Sequence, residues 1–375
     1  MRLVRSRPAP RRLRPLAALV AVLALVLAAC GGEPEPGTAD PLEPAEDARP
    51  DEEAADEDAA PADPGVEGGE GDDQAAAPEV DPAEVGANEL GEIPVLMYHR
   101  ILPDGGSDYD LTPEEFRGEL EWLYEHDYRP ITAAQLASGE IDVPAGTTPV
   151  VLTFDDSTRE QFAYTEDGEI DPDTAVGIML EVAERYDEDI TGSFYVITSS
   201  LFGGTGDGPR ILQHLDELGF EVANHTHDHP SLRSLDAAGV QEQLATNVAT
   251  IREHVPDAEV STLALPLGIR PDPVDLAFEG EHDGTTYSKG LILLVGAHPT
   301  PSRFSTEWSR EVPRIRSSPS WDGGEPDYGS AFWLGVLENN PERKYVSDGD
   351  PERISFPADL EAQLHEDFVD RANPY

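Results

Sequence analysis

The chain has 375 residues, 76 acidic side chains against 25 basic ones, and a formal net charge of −51. This balance excludes a protein that binds nucleic acid by neutralising phosphates, and it opposes docking on anionic lipid by charge. A single cysteine, Cys30, rules out an intrachain disulfide and a cysteine-based zinc site, and a hydrophobic content of 38% is low for a chain that folds throughout.

Six arginines fall within the first fourteen residues and an apolar run covers 16–29. That run is shorter than the roughly 20 residues needed to span a bilayer, so it reads as a secretory signal. It ends Leu27-Ala28-Ala29-Cys30-Gly31, which resembles the bacterial lipobox. The resemblance implies lipidation of Cys30 and anchoring to the outer face of the cell membrane through lipid alone; an ordinary signal with a chance cysteine is the plainer reading. Residues 31–92 carry 22 Asp and Glu, one Arg and no aromatic residue. Such a segment buries too little apolar surface to fold, and its like charges extend it. The expected organisation is therefore a signal at 1–29, a disordered acidic tether at 30–90 and a folded domain at 91–375. That domain is also acidic, and Lys289 and Lys344 are the only lysines, a composition that suits high salt or high pH.

From residue 93 apolar runs alternate with helical patterns. Residues 93–98 read as a buried strand. Thr112, Pro113 and Glu115 form a helix start, after which Phe116, Leu120 and Leu123 share a face. A short helix fits 132–138, a strand 149–154, a helix 173–186, a strand 192–197, a helix 210–218, a strand 221–223 and a helix 235–253. Strands at 261–265 and 291–295 complete the series. Alternation of this kind implies parallel strands with helices outside, and about 280 residues in one series suit a β/α barrel.

In such barrels the chemistry sits at the C-terminal ends of the strands. Three strand ends carry ionisable residues: His99, the pair Asp155-Asp156, and the stretch Asn224-His225-Thr226-His227-Asp228-His229. Two adjacent carboxylates also suit a helix cap and its solvated neighbour. The histidines say more, because Pro230 prevents a helix from continuing through them and a turn can bring His225 and His229 onto one ion. One carboxylate and two imidazoles make a three-ligand Zn²⁺ site with an open position, with Co²⁺ or Ni²⁺ as other occupants, and leave the second carboxylate free as a base.

These segments resemble the polysaccharide deacetylase family, carbohydrate esterase family 4. Its T-F-D-D-G motif is here Thr153-Phe154-Asp155-Asp156-Ser157, its H-[ST]-x-x-H motif is His225 to His229, and Pro94 to His99 is similar to its first strand. The resemblance implies a distorted β/α barrel and metal-dependent removal of acetyl groups from a polysaccharide. It implies Asp155 as general base, Asp156, His225 and His229 as metal ligands, and the Leu267 backbone N–H, after Pro266, as oxyanion donor.

The chain departs from the family pattern in three places. Ser157 replaces a glycine, which matters if that position needs a positive φ. Ala264 stands where the family carries an arginine that steadies the base, with Arg270, Arg314 and Arg316 as candidate substitutes. No Asp-Trp pair lies between Gly268 and Leu291. His298 is a candidate acid for the leaving amine and His99 a candidate substrate contact. His227 and Asp228 fill variable positions, while Trp308, Trp321 and Trp333 suit sugar stacking or core packing equally. The stretch 158–173 lengthens the loop beside the base. Two other readings keep the same residues: a glycan-binding lipoprotein of this fold, and a lipoprotein that captures zinc.

Overall fold

The computed structural model describes residues 80–320 and 323–375. The signal segment, Cys30, most of the acidic tether and Trp321 lie outside the described residues. Among the described residues no helix is long and apolar enough to cross a membrane.

The main sheet contains β1 (Val95–Tyr98), β2 (Tyr128–Ile131), β3 (Thr148–Asp155), β4 (Ser193–Val196), β5 (Glu221–Asn224), β6 (Thr262–Ala264), β7 (Leu291–Leu293), β8 (Glu311–Val312) and β9 (Ile315–Arg316). The spatial order is β8-β7-β6-β5-β4-β3-β1-β9, with β2 paired to β3 beside this path, and every pairing is parallel. The two outermost strands are consecutive in sequence and separated only by Pro313 and Arg314. One stretch of chain therefore pairs with β7 through Glu311 and Val312 and with β1 through Ile315 and Arg316. This closes the sheet into the distorted barrel. Pro313 has no N–H to give a ladder, so the closing strand breaks there.

Helices cross between the strands: α1 (Pro113–Glu125), α2 (Ala133–Ser138), α3 (Ala175–Tyr186), α4 (Gly208–Glu217) and α5 (Ala237–His254). Their starts follow from local chemistry. Thr112 and Thr132 form capping boxes with Glu115 and Gln135, and Thr174 and Asp236 cap α3 and α5. Phe116, Leu120 and Leu123 are buried as the α1 pattern requires. Several elements escaped the sequence reading. β2 contains Pro130, and β8 and β9 hold two residues each, too little for periodicity to register. An antiparallel hairpin, Glu279–His282 with Thr285–Ser288, precedes β7, and α6 (Ser330–Asn339) follows β9.

Strand alternation decides what points inward. In β3, Val150, Leu152 and Phe154 join the apolar layer beneath the helices, while Val151 belongs to a separate cluster with Tyr195, Ala223 and Ala264. Residues two apart share a face, so Asp155 follows Val151 and Thr153 inward, and His225 follows Ala223. The lower interior is polar. The Glu221 carboxyl accepts hydrogen bonds from Ser193 Oγ at 2.6 Å, Thr262 Oγ1 at 2.5 Å and the Ala134 N–H at 3.1 Å, and Tyr195 Oη meets Thr262 Oγ1 at 2.9 Å.

The packed region begins earlier than residue 91. Ala87, Asn88, Glu89 and Leu90 are buried, and Asn88 exchanges backbone hydrogen bonds with Val346. Glu89 looks like one more charge of the acidic run, yet its carboxylate accepts from Ser355 N at 2.7 Å and from Tyr345 Oη at 3.2 Å. Burial, and then the neighbouring Asp348 carboxylate, push its pKa from 4.5 up to about 8. The fold therefore favours the protonated acid, whereas the unfolded chain ionises it. Glu89 lowers stability progressively as pH rises from its unfolded to its folded pKa, with no further change above. Glu89→Gln keeps an acceptor for the Ser355 N–H. It should leave the melting temperature unchanged near pH 4.5 and raise it by several degrees near pH 9; an equal loss at both pH values would contradict this.

Candidate active site

The site lies at the C-terminal ends of β3 and β5. Just past the end of β3 the backbone turns through φ values of 79° at Asp156 and 44° at Ser157. Positive φ in two successive residues other than glycine costs of order 1–3 kcal/mol each. It swings Asp156 out of the strand's alternation, so that both carboxylates reach the mouth. The position where the family carries glycine does require positive φ, and Ser157 offsets its strain by accepting a hydrogen bond from Ile197 N at 3.1 Å.

The loop after β5 is built in the same way. Thr226 and His229 have φ values of 68° and 58°. Thr226 N donates to Asn224 Oδ1 at 2.8 Å, and His229 N donates to Thr226 Oγ1 at 2.9 Å. From α5, Asn247 Nδ2 donates to the Thr226 carbonyl at 2.8 Å and Gln243 accepts from the His227 and Asp228 N–H groups. These bonds fold the loop so that His225 and His229, four apart and not on a helix, face each other with ring centroids 4.8 Å apart.

Asp156 Oδ1 lies 3.4 Å from His225 Nε2 and 3.5 Å from His229 Nε2, and ligand atoms of the three residues all fall within 4.8 Å of one another. His225 Nδ1 lies 2.8 Å from the Ala264 carbonyl oxygen. That bond makes Nδ1 the N–H donor and leaves a lone pair on Nε2, aimed at Asp156. The Ala264 backbone oxygen thus orients one imidazole of this donor group. This donor set fits a divalent transition metal such as zinc. Burial lowers the His229 pKa, while the two aspartates outweigh burial at His225 and raise it.

Asp155 is separate from this group. Arg314, fully buried, lies in the break between β8 and β9 and grips Asp155 with both guanidinium nitrogens, Nη1 to Oδ1 at 2.6 Å and Nη2 to Oδ2 at 2.7 Å. The same guanidinium is fixed by the Leu294 carbonyl at 3.0 Å and Thr153 Oγ1 at 3.2 Å. Burial alone would push the Asp155 carboxyl up; Arg314 and then His225 outweigh it and hold it well below the usual carboxylate range. Of the three candidate arginines, Arg270 pairs with Glu311 and Arg316 donates to the Asp108 carbonyl, and Arg314 alone meets Asp155.

His99, at the end of β1, feels Asp155, Asp156, Arg314 and His225, and burial lowers its pKa. Its Nδ1 is buried without a partner. His298, the candidate acid, follows β7 in the chain. It stands exposed on the loop after β7, its Nδ1 2.9 Å from its neighbour's carbonyl and its ring 6.4 Å from Trp333. The Asp155 and Asp156 carboxylates act on the His99 imidazole as well. His227 points away to Thr198 Oγ1 at 2.9 Å, and Trp308 and Trp333 pack against the core. Leu267 occupies the turn after β6 with φ 60°, three residues beyond Ala264, whose carbonyl holds His225.

Gln161 was missed. It is fully buried in the loop that follows β3, and its Nε2 donates to the backbone carbonyls of Asp155 and of His99, the latter at 2.7 Å. It staples the two strand ends that carry these side chains. A lone glutamine in a loop gives no periodic or motif signal.

Residues 142–279 match the model of the polysaccharide deacetylase family. A chitooligosaccharide deacetylase of Sinorhizobium fredii (strain NBRC 101917 / NGR234) is 30% identical over 129 residues, 34% of this chain and 51% of that protein. A chitooligosaccharide deacetylase of Bradyrhizobium sp. (strain ANU 289) is 27% identical over 143 residues, 38% of this chain and 55% of that protein. A solved Streptococcus pyogenes deacetylase in complex with acetate aligns at 17% identity and a TM-score of 0.47, over 61% of this chain and 93% of that one. The chain spans about half the length of the curated relatives it matches. Asp155, Asp156, His225, His229 and Leu267 all fall inside the segment, residues 142–279, that matches the model of the polysaccharide deacetylase family.

Proposed function

We propose that this protein is a metal-dependent hydrolase that removes acetyl groups from a polysaccharide, with an N-acetylated amino sugar as the acetylated unit. The observation that carries the reading is the second carboxylate: Asp155 lies beside the Asp156, His225 and His229 group and is held by Arg314 rather than by the metal donors. Metal capture or passive glycan binding needs no such residue. The matched chitooligosaccharide deacetylases support the choice of sugar. The lipobox and the acidic stretch support an exported lipoprotein held at the outer face of the membrane by Cys30.

Asp156, His225 and His229 would hold a divalent metal, which would polarise an acyl carbonyl and acidify water. The rest of the work falls to the chain's own groups. Asp155 takes a proton from the attacking water on an oxygen lone pair that Arg314 leaves free. Arg314 keeps the carboxylate ionised and fixes its direction. The Leu267 N–H is the candidate donor to the oxyanion. His298 is the candidate acid for the leaving amine, and His99 the candidate contact to the sugar.

Asp155→Asn should retain the metal and lose activity by at least about 10²-fold, as for a lost general base. His225→Ala should lose both. Metal content and acetate release, measured together on each purified variant, check this. Full activity in Asp155→Asn would overturn the base, and full occupancy in His225→Ala would overturn the metal group. Because the Asp155 pKa is held so low, the rate should fall on the acid side as the imidazoles protonate and release metal, not as Asp155 titrates.

Arg314→Met leaves a buried carboxylate without its partner and should destabilise the fold by about 3–5 kcal/mol. Adding Asp155→Leu to the same chain should restore most of that loss. Denaturant midpoints give both numbers, and an Arg314→Met variant as stable as the wild type would contradict the pairing.

A further inference from the structure

The ladder between β1 and β3 runs from Val95 opposite Val151 to Tyr98 opposite Phe154 and stops there. The next pair in register is His99 and Asp155, the candidate sugar contact and the candidate base. Main-chain pairing between these strands therefore ends one step short of the residues whose spacing matters for the reaction. Gln161 takes over at that step. It is fully buried, and its Nε2 donates to the Asp155 carbonyl and, at 2.7 Å, to the His99 carbonyl. Both N–H bonds of the amide thus go to the pair that the ladder omits. Its Oε1 is buried without a partner. Two carbonyl neighbours can be met only by the nitrogen end, so they set the direction of the amide.

The backbone that carries Gln161 is itself anchored. The Glu160 and Gln161 carbonyls accept from the N–H groups of Ala175 and Val176, each at 3.0 Å. Those are the first two residues of α3, whose N–H groups have no partner inside the helix. The Asp155 carbonyl, in turn, is the starting point of the turn through Asp156 and Ser157, both at positive φ. Such a conformation persists only where its surroundings fix it. Ser157 ties the far end of the turn to the end of β4 by accepting from Ile197 N at 3.1 Å. Gln161 ties the near end to the end of β1.

We propose that Gln161 is a positioning residue for the reaction: its side-chain amide is the rung between His99 and Asp155 that the main chain lacks, and it holds the turn that sends Asp155 to Arg314 and Asp156 to the metal group. The inference rests on the deacetylase reading and adds to its machinery a residue outside both motifs. Donating to two carbonyls at once takes a neutral group with two N–H bonds in one plane. Methionine has the length and no donor. A glutamate has the shape but offers one donor when protonated and none when ionised.

The test is titration of Co²⁺ into the full chain, followed by visible absorption, beside kcat and KM for acetate release from tetra-N-acetylchitotetraose by the loaded samples. The absorption band reports the geometry of the ligands. Gln161→Met should bind Co²⁺ about tenfold more weakly and with an altered band, because the turn that directs Asp156 is released. Its kcat should fall by about tenfold or more with KM little changed, since Gln161 does not touch the substrate. Gln161→Glu donates only while protonated, so its shortfall from the wild type should be several-fold larger near pH 8 than near pH 6, and this comparison decides the matter if Gln161→Met does not fold. A role in folding alone would lower the melting temperature and leave the Co²⁺ band, the affinity and kcat of the folded variants unchanged; that result would overturn the proposal, as would Gln161→Glu matching the wild type at both pH values. A wild type that binds Co²⁺ and releases no acetate refutes the deacetylase reading, while the bands and affinities of the variants still decide for or against Gln161.

Discussion

The ion pair between Arg314 and Asp155 is where the closure of the barrel and the chemistry of the site meet. Both groups are buried and the pairing is bidentate. An unpaired charge at that depth would be severely destabilising, so the sheet is stable only when the segment carrying Arg314 is docked. That segment is also the piece that joins the two sheet edges, β7 on one side and β1 on the other. Pro313 breaks the ladder, and the residue after it turns its side chain into the barrel. Closing the sheet thus delivers the guanidinium to the base.

The arrangement separates two carboxylates adjacent in sequence. Asp155 keeps the alternation of β3 and faces Arg314; Asp156, at positive φ, leaves it and faces the imidazoles. Their environments differ accordingly. Asp155 is fully enclosed beside a cation, whereas Asp156 is partly open, with hydrogen bonding and charge from His225 offsetting its burial. Ala264, at the end of β6, supplies a carbonyl to His225. The arginine that holds Asp155 comes from the break between β8 and β9.

Much of this was legible in the sequence because the signals are local. The motif residues 153–157 and 225–229, the strand periodicity and the Thr112 capping box each depend on a few neighbouring residues. What escaped depends on distant ones. Arg314 was one of three candidates, and nothing in its own neighbourhood distinguishes it from Arg270 or Arg316; only pairing across the barrel does. Gln161 bonds to two carbonyls from different strands, and Glu89 is concealed in an acidic run while buried against Ser355 and Tyr345. His298 follows β7 in order along the chain, and its ring lies 6.4 Å from that of Trp333.

The central claim is that one carboxylate of the pair binds metal and the other is reserved by Arg314. Diffraction from zinc-loaded crystals, with data at the zinc absorption edge, tests it directly. The account expects one ion on Asp156, His225 and His229, with both Asp155 oxygens still on the Arg314 guanidinium. Zinc bound to Asp155, or Arg314 displaced from it in the loaded protein, would contradict the account.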